Sequence, residues 1–211
     1  MITSGNKQLD DFLDGGFRKE LTLIYGPGAS GKTTLVKIAA IGQLNDKRKK
    51  VVFIDTENQF SINRFMQLSG PNYLHYLDRL LLLKPNNFEE QCKKIDFLIS
   101  MVNIDLIIID SLGFYYRKLV RDSPVEINKK MDRQLRILTE ISRKGIPVLI
   151  TNQVSANPET GEIKSVGGEM IKKWMKCLIE LKKEPRKILI KRPEEKEIGF
   201  EILNEGIKLL S

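Results

Sequence analysis

Short, almost wholly apolar runs recur along the chain, each followed by a polar or glycine-rich break and then by a longer stretch with helical spacing. Leu21 to Tyr25 is the first run; Val51 to Ile54, Leu80 to Leu83, Leu106 to Ile109 and Val148 to Ile150 follow. A strand that is apolar on both of its alternating sides predicts a parallel sheet covered by helices above and below. Between the runs, Phe88, Cys92, Ile95, Leu98 and Val102 step by three and four, with Asn87 and Glu90 spaced as a capping box. Ile127, Met131, Leu135, Leu138 and Ile141 form a second stripe, started by Ser123, Pro124 and Glu126 and stopped by Arg143, Lys144 and Gly145. Strands alternating with helices of this length predict an α/β fold with three layers and a mostly parallel sheet. After residue 175 the runs shorten to Cys177–Leu181, Lys187–Lys191 and Phe200–Leu203, which read as a small antiparallel extension of that sheet.

The 211 residues suffice for one substantial core, so residues 1–211 are expected to form a single domain. No apolar run approaches the ~20 residues that cross a bilayer, and the first residues lack the layout of a secretory leader. A cytoplasmic protein without a membrane partner is expected. Cys92 and Cys177 stand apart with no metal-ligand spacing, and His75 has no neighbouring partner for a ligand set. Lys and Arg number 35 against 27 Asp and Glu, a net charge of +8 that favours a polyanionic partner without choosing one.

In an open α/β sheet, ligands bind beyond the carboxyl ends of the strands. Those ends carry Gly26, Asp55 to Glu57, Asp110-Ser111 and Thr151-Asn152-Gln153. Gly26-Pro27-Gly28-Ala29-Ser30-Gly31-Lys32-Thr33 matches G-x-x-x-x-G-K-[ST] in full, directly after a strand and before a helix pattern, with Thr34 next. Glycines let successive N–H groups turn inward around a phosphate, and the following helix points its positive end at the same place. Lys32 adds a charge across the β- and γ-phosphates, and the Thr33 hydroxyl is suited to Mg²⁺. Asp110, closing an apolar run, has the layout of a carboxylate that holds the same ion. Glu57 is placed to polarise the water that attacks the γ-phosphate, and the Gln153 amide to feel that phosphate. The segment from Val154 to Gly168 reads as a loop coupled to Gln153.

Thr3-Ser4-Gly5, Leu9-Asp10, Gly15-Gly16, the P-loop, Asp55-Thr56-Glu57, Asp110-Ser111, Thr151-Asn152-Gln153-Val154 and Gly167-Gly168 together resemble the RecA-like recombinase family of archaeal RadA and its eukaryotic relatives. Trp174 and Lys176, Lys191-Arg192-Pro193-Glu194 and Gly206-Ile207 are similar to the tail of the shorter RadB-like archaeal paralogues within it. The resemblance implies ATP and Mg²⁺ as ligands, and DNA, single-stranded or branched, as a partner. It implies an accessory role in homologous recombination and repair beside a RadA-type recombinase or a structure-specific nuclease, in the nucleoid. The chain starts at the core, so neither the N-terminal helix-hairpin-helix domain nor the phenylalanine that links recombinase subunits is expected. Strand exchange is then not expected either, and ATP hydrolysis should be weak, since such ATPases often take a positive charge from a neighbour.

Two loops after the Asp110 and Gln153 strands line the DNA channel in that family, here about Gly113 to Asp122 and Ser155 to Gly168. Tyr115, Tyr116, Arg117, Lys118 and Arg121 in the first, and Lys164 in the second, are the candidate DNA contacts. The aromatic residues of the first loop, Phe114 among them, either stack on bases or pack on the core. Lys47-Arg48-Lys49-Lys50 falls at the opposite sheet edge and reads as a solvated turn. Arg64 matches, by its spacing from Glu57, an arginine that in that family lies against the adenine, which the resemblance implies here. Two other functions fit a P-loop chain: a KaiC-type switch whose partner is protein, and a small-molecule kinase, although no later segment resembles a lid with paired arginines.

Overall fold

The structure, a computed structural model, describes residues 1–156, 163–165 and 168–210. In chain order the elements are α1 (Lys7–Phe12), β1 (Leu21–Gly26), α2 (Lys32–Leu44), β2 (Val51–Asp55), α3 (Ile62–Ser69), α4 (Tyr73–Leu77), β3 (Leu80–Leu83) and α5 (Phe88–Leu98). Then come β4 (Leu106–Asp110), α6 (Phe114–Leu119), α7 (Pro124–Arg143), β5 (Val148–Ala156), β6 (Ile163–Ser165) and α8 (Gly168–Trp174). The chain closes with β7 (Cys177–Lys183), β8 (Arg186–Arg192), β9 (Lys196–Leu203) and β10 (Gly206–Leu209). The sheet order is β10-β9-β8-β7-β1-β5-β4-β2-β3, with β6 paired to β5.

All five runs expected as parallel strands are parallel neighbours, in register Asp55 with Asp110 and Gly26 with Gln153. Their continuous apolar character follows from the two cores. Ile24, Phe53, Ile108 and Leu149 face one cluster beneath α2 and α3, whereas Leu23, Val52, Ile54, Ile107, Ile109 and Ile150 face another beneath α5 and α7. The P-loop helix α2 is buried along most of its length, so a glycine on it, Gly42, permits contact with the N-terminal turn. A Cβ there would meet Gly5 Cα at 2.5 Å. Thr3 and Ser4 in that turn both donate to Asp10, which gives the N-terminal motif a structural task.

Several expectations need correcting. The three runs beyond residue 175 do pair antiparallel with one another, β7 with β8 and β8 with β9, but their junction with the central sheet is parallel, because β7 runs alongside β1 in the same direction. The helix α8 lies between β5 and β7, and a crossover of this kind is what parallel pairing needs. β10 is an additional strand, and Arg192 Nη1 donates to the Met175 carbonyl at 3.0 Å, tying β8 to the end of α8. Val102 is not part of the α5 stripe, because the helix stops at Leu98 and Val102 is exposed. At α5, Asn87 caps the Glu90 N–H, but the Glu90 carboxylate accepts from Asn86 rather than closing the box on Asn87. At α7, Pro124 opens the helix as expected, yet Ser123 makes no side-chain cap and Glu126 pairs with Lys130.

The two loops expected after β4 and β5 also differ. Phe114–Leu119 is the helix α6, and β5 continues past Gln153 to Ala156 and pairs with β6. Residues 157–162 and 166–167, including Gly167, lie outside the described residues, and so does the side chain of Lys164. The remaining minor expectations hold. His75 is exposed on α4; Arg48 and Lys49 pair with Asp46 and Asp105 at the far sheet edge. Burial pushes both thiols up to about 11, so Cys92 and Cys177 are packed, protonated side chains. Among the described residues no helix is long and apolar enough to cross a membrane.

Candidate functional site

Gly26 ends β1 so tightly against β7 that a Cβ would meet the Leu181 carbonyl oxygen at 2.3 Å. The chain then turns with Ala29 at φ 59° and Gly31 at φ 104°, the left-handed region in which glycine is least strained. Gly31 is the N-cap of α2 and supplies no side-chain cap, and the first turn of α2 holds no acidic residue. Its leading N–H groups and its positive end therefore remain available to an anion.

Lys32 folds back over this loop, donating from Nζ to the carbonyls of Gly26 at 3.0 Å and Pro27 at 2.7 Å. Burial lowers its pKa, the charges of Asp110 and Glu57 raise it, and that of Arg117 lowers it again. An ammonium made less stable by burial gains from an added anion, which suits a phosphate beside it. Arg186, the first residue of β8, donates to the Ala29 carbonyl at 3.2 Å and braces the loop from outside.

Asp110 is only 8% exposed, and burial raises its pKa, with Glu57 and Asp55 adding to the rise. Hydrogen bonds from Thr151 and Thr33 act in the opposite direction. Carboxylate and hydroxyl oxygens at this point are hard ligands of the kind that Mg²⁺ takes. Among the described residues no group of three His, Cys, Asp or Glu could hold a metal. A divalent ion here would need oxygens from another source, as the phosphates of a nucleotide provide.

Glu57 follows β2 and is held by Ser111, whose Oγ donates to Glu57 Oε1 at 2.6 Å. Thr56 locks the same junction, its hydroxyl donating to the Ser111 carbonyl at 2.7 Å and accepting from the Ser111 N–H at 2.9 Å. Asp55 is not a free acid at the edge, because its carboxylate accepts from the N–H groups of Gln59 and Phe60 and shapes the loop carrying Glu57. Gln153 is half-buried beside the P-loop, and a Cβ added to Gly28 would lie 3.3 Å from its Nε2. Asp110, Glu57 and Gln153 thus share one sheet edge, as expected from their places at strand ends, with Lys32 and Thr33 brought to it by the start of α2.

Other candidates are placed differently. Tyr116 is 6% exposed and donates to Asn128 Oδ1 at 2.7 Å, so its ring belongs to the core rather than to a stacking surface. Tyr115, half-buried, donates to the Pro85 carbonyl, and its ring meets Phe114 edge-on. Lys118 lies 4.0 Å over the Phe114 ring and is exposed, as is Arg121. Arg117 turns inward instead, toward Gln153. Arg64 is engaged by the β9–β10 turn, donating to the Leu203 and Asn204 carbonyls at 2.8 Å each, and to Gln67. The spacing alone gave no sign of this, since the two partners are about 140 positions away. Thr56, Ser111 and Thr151, which position the two acids, carried no motif of their own; only their adjacency to the acids at strand ends marks them.

A family model of Rad51 matches residues 1–209. The chain belongs to the Rad51 family. Among curated relatives, the DNA repair and recombination protein RadB of Methanococcus maripaludis (strain C7) is 34% identical over 216 residues, spanning 96% of this chain and 98% of its own length. RadB of Methanosphaera stadtmanae is 33% identical over 219 residues, covering 96% and 93%. A crystal structure of the RadB recombinase superposes with a TM-score of 0.82 at 34% identity over the whole of both chains. Rad51 membership and the RadB likeness agree with the mixed sheet: parallel at its centre, antiparallel in its C-terminal strands.

Proposed function

We propose that this Rad51-family chain is an ATP- and DNA-binding accessory protein of homologous recombination and DNA repair, with weak ATPase activity and no strand exchange of its own. The observation that carries the reading is the meeting of Gly26 to Thr33, Asp110, Glu57 and Gln153 at one sheet edge, in a chain matched by the family from residue 1 to 209. The names of its RadB relatives supply the recombination and repair context. Proposed partners are DNA, single-stranded or branched, and a RadA-type recombinase or structure-specific nuclease, in the cytoplasm near the nucleoid.

In this reading the backbone of Gly26 to Gly31, with Lys32, binds the phosphates, and Thr33 and Asp110 hold Mg²⁺. When bound, the metal would neutralise charge on the transferring phosphate. Glu57 accepts a proton from the attacking water, and its bond from Ser111 keeps one oxygen oriented while the other stays available. Glu57→Gln should bind Mg·ATP as the parent does and lose about 10²- to 10⁴-fold in turnover, the usual contribution of a positioned base. Steady-state phosphate release checks this, and undiminished turnover removes Glu57 from the role.

For DNA, the exposed cations Lys118 on α6 and Arg121 just after it, with Lys164, are the proposed phosphate contacts. Roughly three contacts to a single strand, at a slope of about −0.7 per contact, imply a roughly 20-fold loss of affinity between about 50 and 200 mM salt. Fluorescence anisotropy of a labelled oligonucleotide reads this directly. Absence of DNA binding at either salt would favour the KaiC-type alternative, in which the partner is protein.

A further inference from the structure

Arg117 was grouped by sequence with the DNA contacts, but the fold turns it toward the nucleotide edge. It leaves α6 half-buried and donates from Nη1 to Gln153 Oε1 at 3.1 Å. The opposite end of that amide, Nε2, is the atom that a Cβ on Gly28 would meet at 3.3 Å, so the nitrogen stands against the P-loop. Pairing of Gly26 with Gln153 in register fixes the backbone beneath. What remains adjustable is the rotation of the amide, and that rotation decides its chemistry.

A primary amide presents an acceptor at one end and two donors at the other, and half a turn exchanges them. A guanidinium has donors only, so it selects the oxygen. Held in this way, Gln153 offers N–H groups to the P-loop. Turned round, it would offer a carbonyl oxygen, which repels a phosphate.

We infer that Arg117 is a positioning residue that locks the Gln153 amide with Nε2 toward the P-loop, and so sets the preference for a nucleoside triphosphate over a diphosphate. The inference rests on the P-loop being a nucleotide site. It removes Arg117 from the DNA-contacting set and gives α6 a bond to the phosphate-facing side chain. Both nucleotides share the β-phosphate cradle of Gly26 to Lys32; the terminal phosphate is what an oriented donor at Gln153 distinguishes. Loss of the lock therefore falls on one ligand and spares the other.

Calorimetric titration of the full chain with Mg·ATPγS and with Mg·ADP tests this, using the parent, Arg117→Ala, Arg117→Lys, Gln153→Ala and the double substitution Arg117→Ala/Gln153→Ala. Arg117→Ala should weaken ATPγS about tenfold, the scale of one hydrogen bond to a charged group, and ADP less than about twofold. Arg117→Lys, which keeps a donor, should recover part of the loss. In the Gln153→Ala background, removing Arg117 should cost less than about twofold for either nucleotide, since the two act as a unit. Equal losses for both nucleotides, or none for ATPγS, overturn the inference. An undiminished Arg117 effect in the Gln153→Ala background also overturns it, because the guanidinium would then touch the phosphate itself. Failure of the parent chain to bind either nucleotide would instead overturn the nucleotide site, and this inference with it.

Discussion

Lys32→Ala is expected to weaken Mg·ATP binding by about 10- to 100-fold, the range for losing hydrogen bonds made by a charged donor. The lysine amine lies across the P-loop mouth, bonded to the Gly26 and Pro27 carbonyls, and is partly desolvated there. Alanine removes the charge that balances a triphosphate and leaves those two carbonyls without this donor. The loop itself should persist, because its turns come from Ala29 and Gly31 and its outer face is braced by Arg186. The variant should therefore melt close to the parent while its calorimetric signal with Mg·ATP collapses. Binding within about twofold of the parent would show that Lys32 is not a phosphate ligand, and the nucleotide reading would lose its main cation. Repeating DNA binding with ADP, with an ATP analogue and with neither, in parent and Lys32→Ala, would show whether nucleotide governs the DNA side.

Phe53→Ala should cost about 3–5 kcal/mol, the usual range for emptying a fully buried aromatic site. Phe53 is at the middle of β2, 0% exposed, and meets Phe60 edge-on with ring centroids 5.1 Å apart. Phe60 in turn packs on Phe65 of α3, and the buried Lys37 amine lies 4.6 Å over its ring. The void would thus open beneath the loop that runs from Asp55 to Phe60 and carries Glu57. Against a typical domain stability of roughly 5–15 kcal/mol, the loss is large enough to bring the urea midpoint down by a substantial fraction. Phe53→Leu, which keeps most of the volume, should cost less than about 1.5 kcal/mol. If Phe53→Ala unfolds at the parent's urea concentration, the two-core description of the sheet fails at its centre.

The two substitutions bear on different links. Lys32 acts on a ligand with the fold intact, whereas Phe53 acts on the packing that holds a catalytic candidate in place. A turnover loss in Phe53→Ala that exceeds its loss of folded fraction would show that the Glu57 loop depends on the Phe53–Phe60 contact.

Local chemistry made the framework readable in advance. The five parallel strands were visible because helices cover both faces, which forces both alternating sides to be apolar; Leu106 to Ile109 has no polar interruption at all. The P-loop was readable because glycine, lysine and threonine at fixed spacing answer to the shape and charge of a phosphate. Asp110, Glu57 and Gln153 were legible as strand-end residues, since a parallel sheet delivers its strand ends to one side. α6 was not, because a six-residue helix with mixed aromatic and basic residues has no clear period. The parallel start of β7 depended on a crossover that includes α8, which no local pattern in Cys177 to Leu181 announces.

Sequence by itself therefore determined the layers, the glycine-rich turn between β1 and α2 and the sheet edge to which the candidate site residues come, since all three follow from composition and spacing within short segments. Only the tertiary structure decided which way individual side chains turn. Tyr116 went into the core, Arg64 to the β9–β10 turn and Arg117 to Gln153, with Ser111 orienting Glu57. Each of those choices is a competition between partners far apart in the chain, settled by whichever hydrogen bond and burial the folded backbone brings within reach.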